Sequence, residues 1–292
     1  MEKVWFITGS SRGLGRSLAR EILQKGGQVV ATARNIKDIQ DLKNDYGDMV
    51  LLLPLDVTDF TAIKMAVKQA VEHFGRIDVL VNNAGFGIIG AAEAFTDEQV
   101  RSQLETNLYA PIELSRAVIP YMRRQGSGHI LQISSIGGRV ASTGISIYQA
   151  AKFGLSGFTE ALNKEVATLG ITVIAIEPGG IKTDWSGESM TYADSPEDYV
   201  DIGQRTSFFK NGSFVPMGDP DKMARVMVDL VEHPAPPVHL VLGSDAVGIL
   251  QNGTTIREKE LKQWLNVSVS TDADESVNFV ETDAWKSMNS QV

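Results

Sequence analysis

Short runs of mostly apolar, often β-branched residues recur along the chain at Val4–Thr8, Gln28–Ala33, Val50–Asp56, Asp78–Ala84, His129–Ser134, Thr172–Pro178 and His239–Gly243. Their length and nearly continuous apolar character predict strands buried on both faces. Between them, Gly13–Gly26, Asp59–Phe74, Asp97–Arg124, Ser146–Leu169 and Asp219–Glu232 carry apolar residues at helical spacing, several with Asp, Ser or Thr near the start. Strict alternation of strand and helix predicts an α/β fold: a doubly wound parallel sheet of about seven strands with helices on both faces.

No Pro/Gly/Ser-rich linker or shift in composition divides the chain before about residue 180, and no repeat is visible. A single Rossmann-like domain is therefore expected over residues 1–265. Two segments depart from the alternation. Residues 184–218 are rich in aromatics and Met (Trp185, Met190, Tyr192, Tyr199, Phe208, Phe209, Phe214, Met217), and a loop of that length is expected to bind or cover substrate. Residues 266–292 are polar and acidic with apolar anchors at Val277, Phe279 and Trp285, and are expected to form a docked or partly disordered tail.

The formal charge of −9 argues against an electrostatic nucleic-acid binder. Cysteine is absent and the four histidines lie far apart, so no metal site, thiolate nucleophile or disulfide is expected. The N-terminus reaches Val4-Trp5-Phe6-Ile7 without a basic leader, and no apolar run reaches the ~18 residues of a membrane span. A cytoplasmic protein with no membrane partner is expected.

The first strand ends in Thr8-Gly9-Ser10-Ser11-Arg12-Gly13-Leu14-Gly15 and a helix follows at once. Glycines there permit a tight turn and close backbone approach, and the helix N-terminus offers free N–H groups to a pyrophosphate. Gly9, Ser11, Arg12, Gly13, Leu14 and Gly15 are the candidate contacts. The second strand ends in Arg34 and carries no acid for a ribose 2′-hydroxyl, so Arg12 and Arg34 together favour a 2′-phosphate and hence NADP(H). Further along, Tyr148 and Lys152 stand four residues apart in a helical stretch, which places a phenol and an ammonium on one face. A cation held there is expected to lower the phenol pKa from ~10 toward neutrality and make it a proton donor or acceptor.

Thr8–Gly15, Asn82-Asn83-Ala84-Gly85, Tyr148-x-x-x-Lys152 and Pro178-Gly179 occur in an order and at a spacing that resemble the classical short-chain dehydrogenase/reductase family over roughly residues 3–245. The resemblance implies hydride transfer between nicotinamide and a carbonyl or alcohol carbon. It adds a catalytic serine thirteen residues before the tyrosine, Ser135, and an asparagine in the helix after the fourth strand, Asn107. Ser135 would stabilise the developing alkoxide, Tyr148 would carry the proton, and Lys152 would tune the tyrosine and hold the nicotinamide ribose. Asn107 would anchor a water linking Lys152 to solvent. The resemblance also places Asp56 and the Val57 backbone at the adenine, and Asn83, Ala84 and Gly85 along the adenosine ribose. Pro178, Gly179, Ile181 and Thr183 would meet the nicotinamide amide and pyrophosphate. Plainer roles compete: Asp56 as a helix cap, Asn83 as a shaper of its turn, and the two serines as a strand end.

Candidate walls for the substrate are Phe86, Ile88, Val140 and Ile145, with Trp185, Met190, Tyr192 and their neighbours as a lid. They suit a bulky apolar ketone or its secondary alcohol and offer no charged clamp. The expected activity is therefore NADP(H)-dependent carbonyl reduction. An NAD-dependent secondary alcohol dehydrogenase and a non-catalytic cofactor-sensing protein are the alternatives. By resemblance, a homodimer or homotetramer is expected.

Overall fold

The computed structural model of the protein describes residues 2–183 and 190–289. In chain order its strands are β1 Val4–Ile7, β2 Gln28–Ala33, β3 Val50–Pro54, β4 Val79–Asn82, β5 Gly87–Ile89, β6 Gly128–Ile133, β7 Ile171–Pro178, β8 Met190–Tyr192 and β9 His239–Leu242. Its helices are α1 Gly13–Gln24, α2 Gln40–Tyr46, α3 Phe60–Phe74, α4 Asp97–Leu104, α5 Ala110–Gln125, α6 Ser146–Val166, α7 Val200–Lys210, α8 Pro220–Val231, α9 Ser244–Val269 and α10 Asp283–Asn289. Seven strands form one sheet in the order β3-β2-β1-β4-β6-β7-β9, and every pairing is parallel. The strand order reverses between β1 and β4, and in such sheets the crevice at the carboxyl ends beside that reversal receives ligands.

The central strand shows why both faces are covered. All four residues of β1 are buried, and successive side chains point to opposite sides. Trp5 and Ile7 join a core with Leu14, Leu18 and Ile22 of α1 and Met223 and Met227 of α8. Val4 and Phe6 enter the opposite core, with Ile63 and Val67 of α3, Leu114 and Val118 of α5, and Leu162 and Val166 of α6. Each fully buried aliphatic side chain contributes about 1.5–3 kcal/mol relative to exposure, so the two layers hold the sheet from both sides. Local signals fix the helix ends: Asp59 accepts from Thr61 N and Ala62 N at 2.9 Å, and Thr96 and Gln99 form a capping box at α4.

Two sequence expectations change. The single helix expected over Asp97–Arg124 contains a π-helical turn at Glu105–Tyr109 between α4 and α5. Pro111 has no N–H for the Asn107 carbonyl one α-helical turn back, so the regular ladder cannot run through this point. The segment expected as a loop over 184–218 contains β8, paired with β5, and α7; its residues 184–189, Trp185 among them, lie outside the described residues. Neither β5 nor α2 was expected from the sequence, because three and seven residues give too short a period to read. By internal contacts the chain divides into units 1–250 and 251–292; within the second, α9 runs on through residue 265 to Val269, and Phe279 meets Trp285 edge-on with ring centroids 5.7 Å apart.

At the far edge of the sheet, the fully buried Glu177 of β7 accepts from Arg139 Nη1 at 3.0 Å and Ser156 Oγ at 3.2 Å, and faces His239 Nδ1 at 2.7 Å. His239 Nε2 lies 2.8 Å from Glu160. Only imidazolium can donate to both carboxylates at once. The hydrogen bond to Glu177 raises the His239 pKa above its ordinary value, against the opposing effect of burial. A raised folded-state pKa stabilises the protein fully below the unfolded value near ~6.5, and the contribution fades as pH rises through the folded value. His239→Gln is therefore expected to lower stability by about 1–3 kcal/mol at pH ~6 and by clearly less at pH ~9, read from urea midpoints. An equal deficit at both pH values would count against a charged His239.

Candidate active site

The site grows from the carboxyl ends of β1 and β4. Gly9 turns the chain after β1 with φ +69°, a conformation a side chain rarely tolerates. A Cβ on Gly15 would lie 2.4 Å from both Asn83 Nδ2 and Gly9 O, so this glycine lets α1 close onto the turn. Asn83 fastens the same turn: its Nδ2 donates to Thr8 O at 2.9 Å and Gly9 O at 3.0 Å, while Thr8 Oγ1 accepts from Asn83 N and Ala84 N. The residue before α1, Arg12, is extended and makes no side-chain cap, and the first turn holds no acid. The positive end of α1 is thus left for an external anion.

A cavity of about 810 Å³ opens along these carboxyl ends. It is lined by every candidate cofactor residue except Gly15: Gly9, Ser11, Arg12, Gly13, Leu14, Arg34, Asp56, Val57, Asn83, Ala84, Gly85, Tyr148, Lys152, Pro178, Gly179, Ile181 and Thr183. Gly15 lies behind the loop, where its packing against Asn83 explains the glycine without ligand contact. Arg12 and Arg34 are both exposed at the rim. Asp56 accepts from Thr58 N at 2.9 Å and Thr58 Oγ1 at 2.7 Å, and these bonds, helped by the Arg34 charge, hold its carboxyl below the usual range. The helix cap is Asp59 rather than Asp56.

Asn107, Ser135, Tyr148 and Lys152 line the same cavity. Asn107 sits in the π turn, fully buried; its Nδ2 donates to Phe86 O at 2.8 Å and its Oδ1 accepts from Phe86 N at 3.1 Å. The side chain therefore ties the exit of β4 to the helix. Ser135 accepts from Gly137 N at 3.0 Å and is hydrogen-bonded to Tyr148. Lys152 Nζ donates to Ile133 O at 2.7 Å and stands 5.7 Å from the centre of the Tyr148 ring.

Burial governs both titrations. The Lys152 ammonium is pushed down to about 8, and the Tyr148 phenol is pushed up to about 12, opposed only in part by its bond to Ser135. In the protein alone, the lowering of the phenol expected from its lysine neighbour does not result, because the cost of placing a phenolate out of water dominates. The tyrosine keeps its proton at neutral pH and the lysine, for the most part, its charge.

Around these groups, Phe86, Val140 and Ile145 form walls as expected from the sequence, whereas Ile88 and Met190 are buried and do not line the cavity. Tyr192 carries Lys210 Nζ over its ring at 4.6 Å and also lies off the cavity. From the same expected lid segment, Phe209 and Phe214, whose ring centroids are 4.7 Å apart, do line the cavity, together with Arg205. Gln149 pins the wall by donating to Val140 O at 3.0 Å and accepting from Ser142 N at 2.9 Å. Asp245 accepts from Gly180 N at 2.8 Å and so braces the Pro178–Ile181 segment. Arg205 and Asp245 escaped the sequence reading. An isolated arginine among aromatics and an acid at a helix start carry no spacing signal, although Gly243 just before Asp245 hinted at a close approach.

The sequence profile described as short chain dehydrogenase matches residues 3–192. An oxidoreductase of Botryotinia fuckeliana is 39% identical over 93% of this chain and 100% of its own length. Among solved structures, a short-chain dehydrogenase from Streptomyces avermitilis superposes with a TM-score of 0.88 at 35% identity, covering 94% of this chain and 100% of that one. A metagenomic short-chain oxidoreductase in complex with NADP superposes with a TM-score of 0.67 at 26% identity, covering 82% and 96% of the two chains. A parallel sheet with its strand reversal at β1 and β4, an uncapped helix facing a long cavity and these sequence matches together place the chain in the short-chain dehydrogenase/reductase family of nicotinamide-dependent oxidoreductases.

Proposed function

We propose that the protein reduces a bulky ketone to a secondary alcohol with NADP(H). The observation that carries this is that Ser135, Tyr148 and Lys152 meet in one cavity with the glycine turn after β1, the phenol bonded to Ser135 and the ammonium fixed by Ile133 O. The phenol starts in the protonated form that reduction uses, and the Lys152 charge beside it eases the departure of its proton.

The cofactor fits the residues present. Backbone N–H groups at Ser11–Leu14 would cradle the pyrophosphate, Arg12 and Arg34 would take a 2′-phosphate, and Asp56 with Val57 would face the adenine. Asn83–Gly85 would line the ribose, and Pro178, Gly179, Ile181 and Thr183 the nicotinamide end. When bound, it supplies the hydride for the carbonyl carbon. Ser135 would donate to the carbonyl oxygen and stabilise its developing charge, and Tyr148 would deliver the proton. Lys152, fixed by Ile133 O, would hold a positive charge beside the phenol and draw its proton from solvent through a water. Both side-chain ends of Asn107 are engaged by Phe86, so the water anchor is better assigned to its main-chain carbonyl, which Pro111 cannot satisfy. Phe86, Val140, Ile145, Phe209 and Phe214 give the substrate an apolar bed. Family resemblance adds a homodimer or homotetramer paired through the helices of Asn107 and Tyr148.

Tyr148→Phe is expected to lower kcat for ketone-dependent NADPH oxidation by about 10²–10⁴-fold while NADPH still binds, as followed by cofactor fluorescence. Activity equal to the parent would remove Tyr148 from the chemistry. Arg34→Asp is expected to cut kcat/KM for NADPH by roughly ten- to a hundredfold and to leave NADH use equal or improved. An unchanged ratio of the two cofactors would rule out Arg34 as the discriminating contact and favour an NAD-dependent enzyme.

A further inference from the structure

We propose that Arg205 is the anchor for a carboxylate carried by the ketone substrate, which makes the preferred substrate an oxo acid with an apolar body; this deepens the ketone reduction proposed above and rests on it. Arg205 extends from α7 into the cavity wall beside Phe209 and Phe214. Its Cδ would lie 3.5 Å from a Cβ on Gly144, so its stem runs against the chain four residues before Tyr148. Its guanidinium carbon stands 5.6 Å from the centre of the Phe209 ring, and Phe209 packs on the cluster formed by Ile89, Ile145, Tyr148 and Met190. The charge is thereby placed at the tyrosine end of the cavity.

That position separates it from the adenosine phosphates. The Tyr148 end of the cavity is tied by Ser135 to the end of β6, which lies three strands from β2, the strand that Arg34 follows. At a strand spacing near 4.8 Å the separation is on the order of 14 Å. Arg12 and Arg34 would therefore serve the nucleotide, and Arg205 is left for what lies beyond it.

The chemistry calls for an acceptor. Arg205 Nε is buried with no hydrogen-bond partner, and among the described residues no Asp or Glu forms an ion pair with this side chain. Burial lowers its pKa, but a guanidinium keeps its charge at neutral pH. Phe209 addresses the π face of the guanidinium, and the in-plane Nε–H is left without an acceptor. A donor fork in an apolar, partly desolvated wall binds a carboxylate more strongly than it would in water.

The test uses phenyl ketones bearing a terminal carboxylate on alkyl chains of increasing length, each paired with its methyl ester, with NADPH oxidation as the readout. At the best chain length, the parent is expected to favour the acid over the ester in kcat/KM by about ten- to a hundredfold. Arg205→Met is expected to bring that ratio close to one, chiefly through KM for the acid, and Arg205→Lys to recover part of it. A ratio equal in the parent and Arg205→Met, or esters preferred at every length, would overturn the assignment and leave ketone reduction standing. Turnover of neither acids nor esters would instead count against ketone reduction. Calorimetric binding of the acids to NADPH-loaded protein then decides the role of Arg205: weaker binding by Arg205→Met than by the parent supports it, and equal binding overturns it.

Discussion

Burial of a tyrosine and a lysine one helical turn apart is the constraint around which the site is organised. Tyr148 and Lys152 are 7% and 6% exposed, and neither charged form is comfortable out of water. The ammonium is tolerated because Ile133 O at the end of β6 accepts from it, and the phenol because Ser135, two residues beyond that strand, hydrogen-bonds it. The helix and the strand end are thus needed together. Either alone would leave a buried polar group without a partner, at a cost of about 1–3 kcal/mol.

The parallel sheet provides that proximity repeatedly. Because all seven strands run the same way, the turns after β1, β4, β6 and β7 emerge on one edge and share one cavity. Small devices then set the spacing. Gly15 lets α1 approach Asn83, and the π turn between α4 and α5 brings Asn107 to the Phe86 backbone. A Cβ on Gly85 would stand 2.6 Å from Asn107 Oδ1, so the close approach of that helix is reflected in the choice of glycine. Asp245, reaching over from the start of α9, holds the segment after β7 in the same way.

What was legible in the sequence follows from how local its cause is. The strands were visible because burial on both faces gives continuous apolar runs, and the glycine turn because few residues can adopt its backbone. Tyr148, Lys152, Ser135 and Asn107 could be placed from their spacing and family resemblance, and they do share a cavity. Their titration was not legible: the sequence shows the lysine beside the tyrosine but not the burial that outweighs it. The interruption of the long helix at Asn107 depends on one missing N–H at Pro111, which apolar periodicity does not register. The lid was read as Trp185, Met190, Tyr192 and their neighbours, yet β8 pairs with β5 and leaves Met190 and Tyr192 off the cavity, while Arg205 and Phe209 of α7 and Phe214 beyond its end line it. Choosing among aromatics in one segment requires knowing which of them the tertiary structure turns inward.

The central claim is that burial keeps the Tyr148 phenol protonated in the protein alone. Carbon NMR of protein labelled at tyrosine Cζ, with the Tyr148 signal assigned by its loss in Tyr148→Phe, measures this directly across a pH titration. With the phenol pushed up to about 12, the Tyr148 signal is expected to stay at its protonated position beyond pH ~10, where exposed tyrosines are already half ionised. A midpoint near neutrality in the absence of nicotinamide would contradict the account and return control of the phenol to the lysine beside it.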